Sequence, residues 1–196
     1  MKTSNYIKHT QSKGIRKLLI DRFNKKLLSV FSKSVENMQN ILDLGCGEAF
    51  TLNMLQSNFP NLNYFGYDIN PIALNLAKQN ASNAKLEIQD IYTLKSEHEF
   101  DIIICCEVLE HLQKPLKALK NIAKLNAKIY IFSVPNEPFF KLGNFFSGKY
   151  IKNLGNHPEH IQNFSKRQFY KMCSEYFSPI ILTSSFPWTI FVGAAK

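Results

Sequence analysis

Residues able to do chemistry gather at the ends of apolar runs in this chain. Ile41-Leu42-Asp43-Leu44 leads into Gly45-Cys46-Gly47-Glu48-Ala49, a strand pattern that ends in glycines and passes into a helical one. Glycines at such a bend let the backbone approach a ligand closely, and the N–H groups opening the next helix favour a polar or anionic group. A second apolar run, Tyr64-Phe65-Gly66-Tyr67, delivers Asp68, which follows Gly45 by 23 residues. This is the layout of a βαβ nucleotide site whose acid bonds ribose hydroxyls. A third run, Lys85 to Gln89, ends in Asp90-Ile91, and a fourth, Phe100 to Cys106, ends in Glu107-Val108-Leu109-Glu110-His111.

A dinucleotide demands Gly-x-Gly-x-x-Gly, and here Phe50 occupies the third position. Asp43 and Glu48 also bring negative charge to the turn with no cation to balance a pyrophosphate. A phosphate-free ligand with a cationic end suits it better. S-adenosylmethionine carries a sulfonium, an ammonium, a carboxylate and a ribose. Leu42-Asp43-Leu44-Gly45-Cys46-Gly47-Glu48 resembles the first motif of class I S-adenosylmethionine-dependent methyltransferases. The resemblance implies a cofactor-binding set of Asp43, Gly45, Cys46, Gly47, Asp68, Ile69, Asp90, Ile91 and Glu107. Within it, Asp90 is expected near the adenine amino group and Ile91 against the ring.

Glu107, Glu110 and His111 form the second cluster. On a helical turn following the fourth strand they share a face, at spacing i, i+3 and i+4. Two readings stay open. In one, His111 is a general base taking a proton from an attacking hydroxyl, with Glu110 and His160 as further catalytic candidates. In the other, Glu107, Glu110 and His111 join His160, from His157-Pro158-Glu159-His160, to bind a divalent ion such as Mg or Mn. Glu-x-x-Glu-His with a later His is similar to the metal-assisted methyltransferases of ubiquinone biosynthesis and of small-RNA 3′ ends. Asn-Pro-Pro-Tyr, the mark of amino-methylating nucleic-acid enzymes, is absent after the fourth strand. The expected function is O-methylation of a small molecule, sugar or lipid-linked precursor. An RNA 2′-hydroxyl, or a non-catalytic cofactor-binding partner subunit, is the alternative.

The elements that must position these residues alternate. Apolar residues from Ile15 to Phe31 recur at helical spacing, so residues 1–39 read as a helical cap, with Tyr6 a candidate lid residue. Strands over Asn40–Leu44, Asn63–Tyr67, Lys85–Gln89, Phe100–Cys106 and Ala127–Val134 alternate with helices over Ala49–Asn58, Asn70–Asn80 and Pro115–Leu125. Residues 136–164 interrupt the alternation and read as a substrate-side insertion above the active edge. A helix over Ser165–Phe177 and a hairpin of Pro179–Ser184 with Thr189–Ala195 close the chain. The predicted fold is a single-domain, doubly wound, mostly parallel seven-stranded α/β sheet with a C-terminal antiparallel hairpin, Rossmann-like as in the methyltransferases it resembles.

Composition bounds this reading. At 196 residues, of which 45% are hydrophobic, the chain is long enough for one sizeable core. The four cysteines show no Cys-x-x-Cys spacing and read as buried, reduced thiols. No apolar stretch approaches the roughly 18 residues of a membrane span, so a cytoplasmic location is expected. The net charge of +9 comes largely from scattered lysines, which favours a small-molecule acceptor over a nucleic acid partner.

Overall fold

The computed structural model describes Tyr6, residues 10–137 and residues 161–196. His157 and His160, with most of the 136–164 stretch, lie outside the described residues. The elements in order are α1 (Gly14–Ser32), β1 (Asn40–Leu44), α2 (Phe50–Asn58), β2 (Asn63–Asp68), α3 (Pro71–Asn80), β3 (Ala84–Ile88) and β4 (Ile102–Cys106). A 3-10 turn (Leu109–His111), α4 (Pro115–Ala123), β5 (Ile129–Pro135), α5 (Lys166–Ser174), β6 (Phe177–Ser185) and β7 (Trp188–Ala195) follow. They build a seven-stranded sheet of order β3-β2-β1-β4-β5-β7-β6. Among the described strands, β7 alone runs opposite to the other six.

Alternation along the central strands distributes side chains to two cores. Ile41, Ile102, Ile104 and Ile131 face α1, α2 and α3, packing with Phe23, Leu27, Leu52, Leu55 and Leu74. Leu42, Leu44, Ile103 and Cys105 face the other layer, with Leu119 and Ile122 of α4 and Phe169 and Met172 of α5. Strands covered on both faces read as continuous apolar runs, which is why β4 is Ile-Ile-Ile-Cys-Cys. Strand order reverses between β1 and β4. That switch point, at the carboxyl ends of the strands, is where open α/β sheets bind ligands.

Local signals account for most element boundaries. Asn70 caps α3, accepting from Ile72 N and Ala73 N, with Pro71 at the first helical position. Ser165 caps α5 through a capping box with Gln168. While the starts of β4 and β5 and the end of α4 move by two residues, the largest departure from expectation is at α5: the helix predicted through Phe177 ends at Ser174, and Phe177 opens β6. Its ring is buried 4.3 Å from Tyr130 and 5.0 Å from Phe132, ring centre to ring centre. Burial of that aromatic overrides a weak helix end. Among the described residues, no helix is long and apolar enough to cross a membrane. All four cysteines are unbridged, and burial pushes each thiol pKa upward, so they stay protonated.

Candidate functional site

The glycine turn between β1 and α2 holds three left-handed residues close together: Gly45 (φ +72°), Gly47 (φ +53°) and Ala49 (φ +62°). Gly45 has a second requirement, because a Cβ there would run into the Val108 side chain. Gly45 and Cys46 both donate backbone N–H bonds to the Tyr67 carbonyl, at 2.7 and 3.2 Å. Gly47 N–H donates to Asp68 Oδ2 at 2.8 Å. The turn is therefore tied to the end of β2 at three points. The Cys46 thiol faces inward, since its Sγ would lie 2.9 Å from a Cβ on Gly66, and it donates within the turn to the Gly47 carbonyl at 3.9 Å. Glu48 is buried, and its carbonyl accepts from Asn80 Nδ2 at the far end of α3.

Asp68 stands at the tip of β2 with one N–H on each carboxylate oxygen, Gly47 on Oδ2 and Asn70 on Oδ1, the latter at 2.8 Å. A carboxylate accepts about four bonds, so capacity remains for ribose hydroxyls. Ile69 beside it is 65% exposed, an apolar surface suited to one face of a planar base. Asp90 sits level with this edge, because Gln89 N–H donates to the Asp68 carbonyl. Its Oδ1 accepts from Tyr92 N, leaving Oδ2 for another donor. Asn121 of α4 steadies the segment by donating to the carbonyls of Ile91 and Tyr92. Beneath the turn, Asp43 is 3% exposed. Burial, and secondarily the nearby Asp68 carboxylate, push its pKa up to about 8.

The post-β4 cluster differs from expectation. No helical turn runs through Glu107–His111: Glu107 is left-handed (φ +59°) and only Leu109–His111 coil, as a 3-10 turn. The shared face predicted from i, i+3 and i+4 spacing is therefore not formed. The Glu107 carboxylate instead accepts from the Trp188 indole, Nε1 to Oε2 at 2.6 Å. Glu110 is buried at 1% exposure, and its carbonyl accepts from both Ile161 N and Gln162 N at 2.9 Å. Gln162 Nε2 adds a bond to the Leu112 carbonyl at 3.2 Å. This clasp fastens the returning end of the 136–164 stretch beside half-buried His111. Among the described residues no group of three or more His, Cys, Asp or Glu is placed to hold a metal ion. The expected metal set of Glu107, Glu110 and His111 does not assemble from these three, and its fourth member, His160, lies outside the described residues.

Sequence reasoning missed Trp188 and Gln162. The only available signal for Trp188 was its position, directly after Pro187 at the start of a closing strand. Gln162 carried none. Tyr6, the candidate lid residue, lies with its ring 6.0 Å from Phe50 at the start of α2.

The donor set fits S-adenosylmethionine: a carboxylate with spare acceptor capacity at β2, a second at β3, exposed Ile69, and a glycine turn whose own residues, Gly45 to Ala49, include no cation for a pyrophosphate. Comparison with known proteins agrees. A methyltransferase-domain family model matches residues 36–178. The ubiquinone biosynthesis O-methyltransferase of Coxiella burnetii is 33% identical over 125 residues, 59% of this chain and 52% of that protein. The malonyl-[acyl-carrier protein] O-methyltransferase of Bacillus cereus is 28% identical over 156 residues, 75% of this chain and 58% of that protein. The chain thus spans little more than half the length of these curated relatives. In fold it is similar to magnesium protoporphyrin IX methyltransferase from Synechocystis, crystallised with bound S-adenosylhomocysteine. The TM-score is 0.70, with 19% identity and coverage of 98% of this chain and 97% of that one. A family model covering most of the chain, on this sheet order and this glycine turn, means that the chain belongs to the methyltransferase-domain family of class I S-adenosylmethionine-dependent methyltransferases.

Proposed function

We propose that this protein transfers the methyl group of S-adenosylmethionine to an oxygen of a small-molecule acceptor, with a sugar or a lipid-linked precursor as the favoured classes. The observation that carries the reading is the line of Gly45, Gly47, Asp68 and Asp90 along the carboxyl edge at the switch point of the sheet. The O-methyltransferase names of the two curated relatives support oxygen as the acceptor atom. When bound, the cofactor supplies a methyl group already activated on a sulfonium, so the protein's work is binding, orientation and exclusion of water.

Each residue then has a task. Asp68 accepts from the ribose hydroxyls, and its two backbone donors keep it aimed. Asp90 accepts from the adenine amino group, while Ile69 and Ile91 flank the ring. Asp43 lies under the turn as a neutral acid at neutral pH and ionises in response to a cationic group brought near it. His111 takes the proton of an acceptor hydroxyl, a contribution of about 10²–10⁴ in rate where that proton must leave. Glu110 supports the turn that carries His111. The Glu110–Gln162 clasp sets residues 161 and 162 at the acceptor side, and α1 with Tyr6 caps the cofactor side.

A radiolabelled-methyl transfer screen against small-molecule and lipid fractions, with and without EDTA, tests the reading. Label is expected in an alkali-stable, organic-extractable or sugar fraction, in equal amount with EDTA. Label confined to RNA and abolished by EDTA would replace it with metal-assisted 2′-O-methylation.

A further inference from the structure

The chain contains one tryptophan, and the reversal of β7 decides where it goes. Because β7 runs against the other strands, it begins at their carboxyl edge, where Trp188 pairs with Pro135 at the end of β5. The neighbouring carbonyl, Pro187 O, accepts from Asn136 N–H at 2.8 Å. A residue 81 positions from Glu107 in sequence is thereby brought into hydrogen-bond contact with it, indole Nε1–H to carboxylate Oε2 at 2.6 Å. The Trp188 ring is buried and also packs on Phe23 of α1, with ring centroids 5.1 Å apart.

The residue held in this way directly precedes the one that meets the glycine turn. Glu107 is fixed in the left-handed region, with its N–H on the Ser133 carbonyl at 3.1 Å. The next residue, Val108, occupies the space that a Cβ on Gly45 would need. Glu107-Val108 thus abuts the glycine turn across the switch point. An indole N–H only donates, so it can orient a carboxylate without competing with it for a cation. Bonds from N–H donors to ionised carboxylates are the stronger kind, and this one is half-buried.

We propose that Trp188 is a positioning residue for cofactor binding: its indole N–H fixes the Glu107 carboxylate, and with it the Glu107-Val108 step that meets Gly45, and its ring, seated on Phe23, ties α1 to that geometry. The inference rests on the reading of the carboxyl edge as the S-adenosylmethionine site. The test is calorimetric titration of S-adenosylhomocysteine into the full chain as wild type, Trp188→Phe, Glu107→Gln and the double variant. Trp188→Phe keeps an aromatic ring and removes the donor. It is expected to weaken binding by about tenfold or more, and the double variant should bind no more weakly than Glu107→Gln alone. Wild-type affinity in Trp188→Phe, or losses that multiply in the double variant, would overturn the proposal. If Trp188→Phe does not fold, the single indole N–H resonance of the wild type decides: it should shift on saturation with S-adenosylhomocysteine, and an unmoved resonance overturns the proposal. Failure of the wild type to bind S-adenosylhomocysteine would instead overturn the cofactor reading, and the inference with it.

Discussion

Asp43, beneath the glycine turn, and Gly45, within it, are tightly constrained by their surroundings. Asp43 holds its proton until about pH 8 in the folded chain, whereas an unfolded aspartate releases it near 4. Between those values the unfolded state binds fewer protons, so this residue makes stability fall as pH rises, by about 1.4 kcal/mol per unit at most. Asp43→Asn should remove that slope and melt higher than wild type at pH 8, while losing cofactor affinity. Thermal unfolding from pH 5 to 9 checks it, and parallel profiles for the two proteins would refute it. Gly45 is constrained twice, by φ and by Val108. Gly45→Ala should cost roughly 1–2 kcal/mol for the backbone conformation alone, plus the collision. Gly45→Ala/Val108→Ala should recover only the collision part, as read by denaturant unfolding.

At the scale of elements, what could be read from sequence was what a single segment specifies. The Asn70-Pro71 start of α3 and the bounds of β1 agree with expectation because cap chemistry and apolar patterning are local. Asn70 also donates its N–H to Asp68, so the cap and the site share a residue. Asn70→Ala should cost about 1 kcal/mol of stability, measurable by urea unfolding, and should change cofactor affinity little, because the backbone donor remains. The features that escaped sequence reading depend on distant partners. Phe177 was assigned to a helix because its aromatic contacts come from β5, and Glu107 was assigned to a helical turn because its left-handed φ shows only with Val108 and Gly45 in place. The antiparallel hairpin was legible, but the Trp188–Glu107 bond required knowing that β7 rather than β6 lies beside β5.

For the whole molecule, the two edges of the sheet divide the labour. The carboxyl edge gathers the glycine turn, Asp68, Asp90 and Glu107. At the amino edge Asp101 ties together the starts of β1, β4 and β5: it accepts from Gln39 N and Asn40 N at 2.8 and 3.0 Å and pairs with Lys128 at 2.8 Å. Burial raises the Asp101 pKa, but the Lys128 ammonium and the two N–H donors outweigh it and hold the carboxyl below its usual range. Its contribution is present at neutral pH and is lost as pH falls through that lowered value. Asp101→Ala should therefore destabilise the chain by about 1–3 kcal/mol at pH 7 and leave cofactor affinity unchanged, by paired unfolding and binding measurements. An equal loss of affinity would show that the edges are not separate. In the proposed function, the carboxyl edge holds S-adenosylmethionine through Asp68. Isothermal titration of S-adenosylmethionine into the wild type and Asp68→Ala tests it most directly. One site per chain in the wild type, weakened by about tenfold or more in the variant, is the predicted result. No binding to the wild type, or equal binding to both, would contradict it.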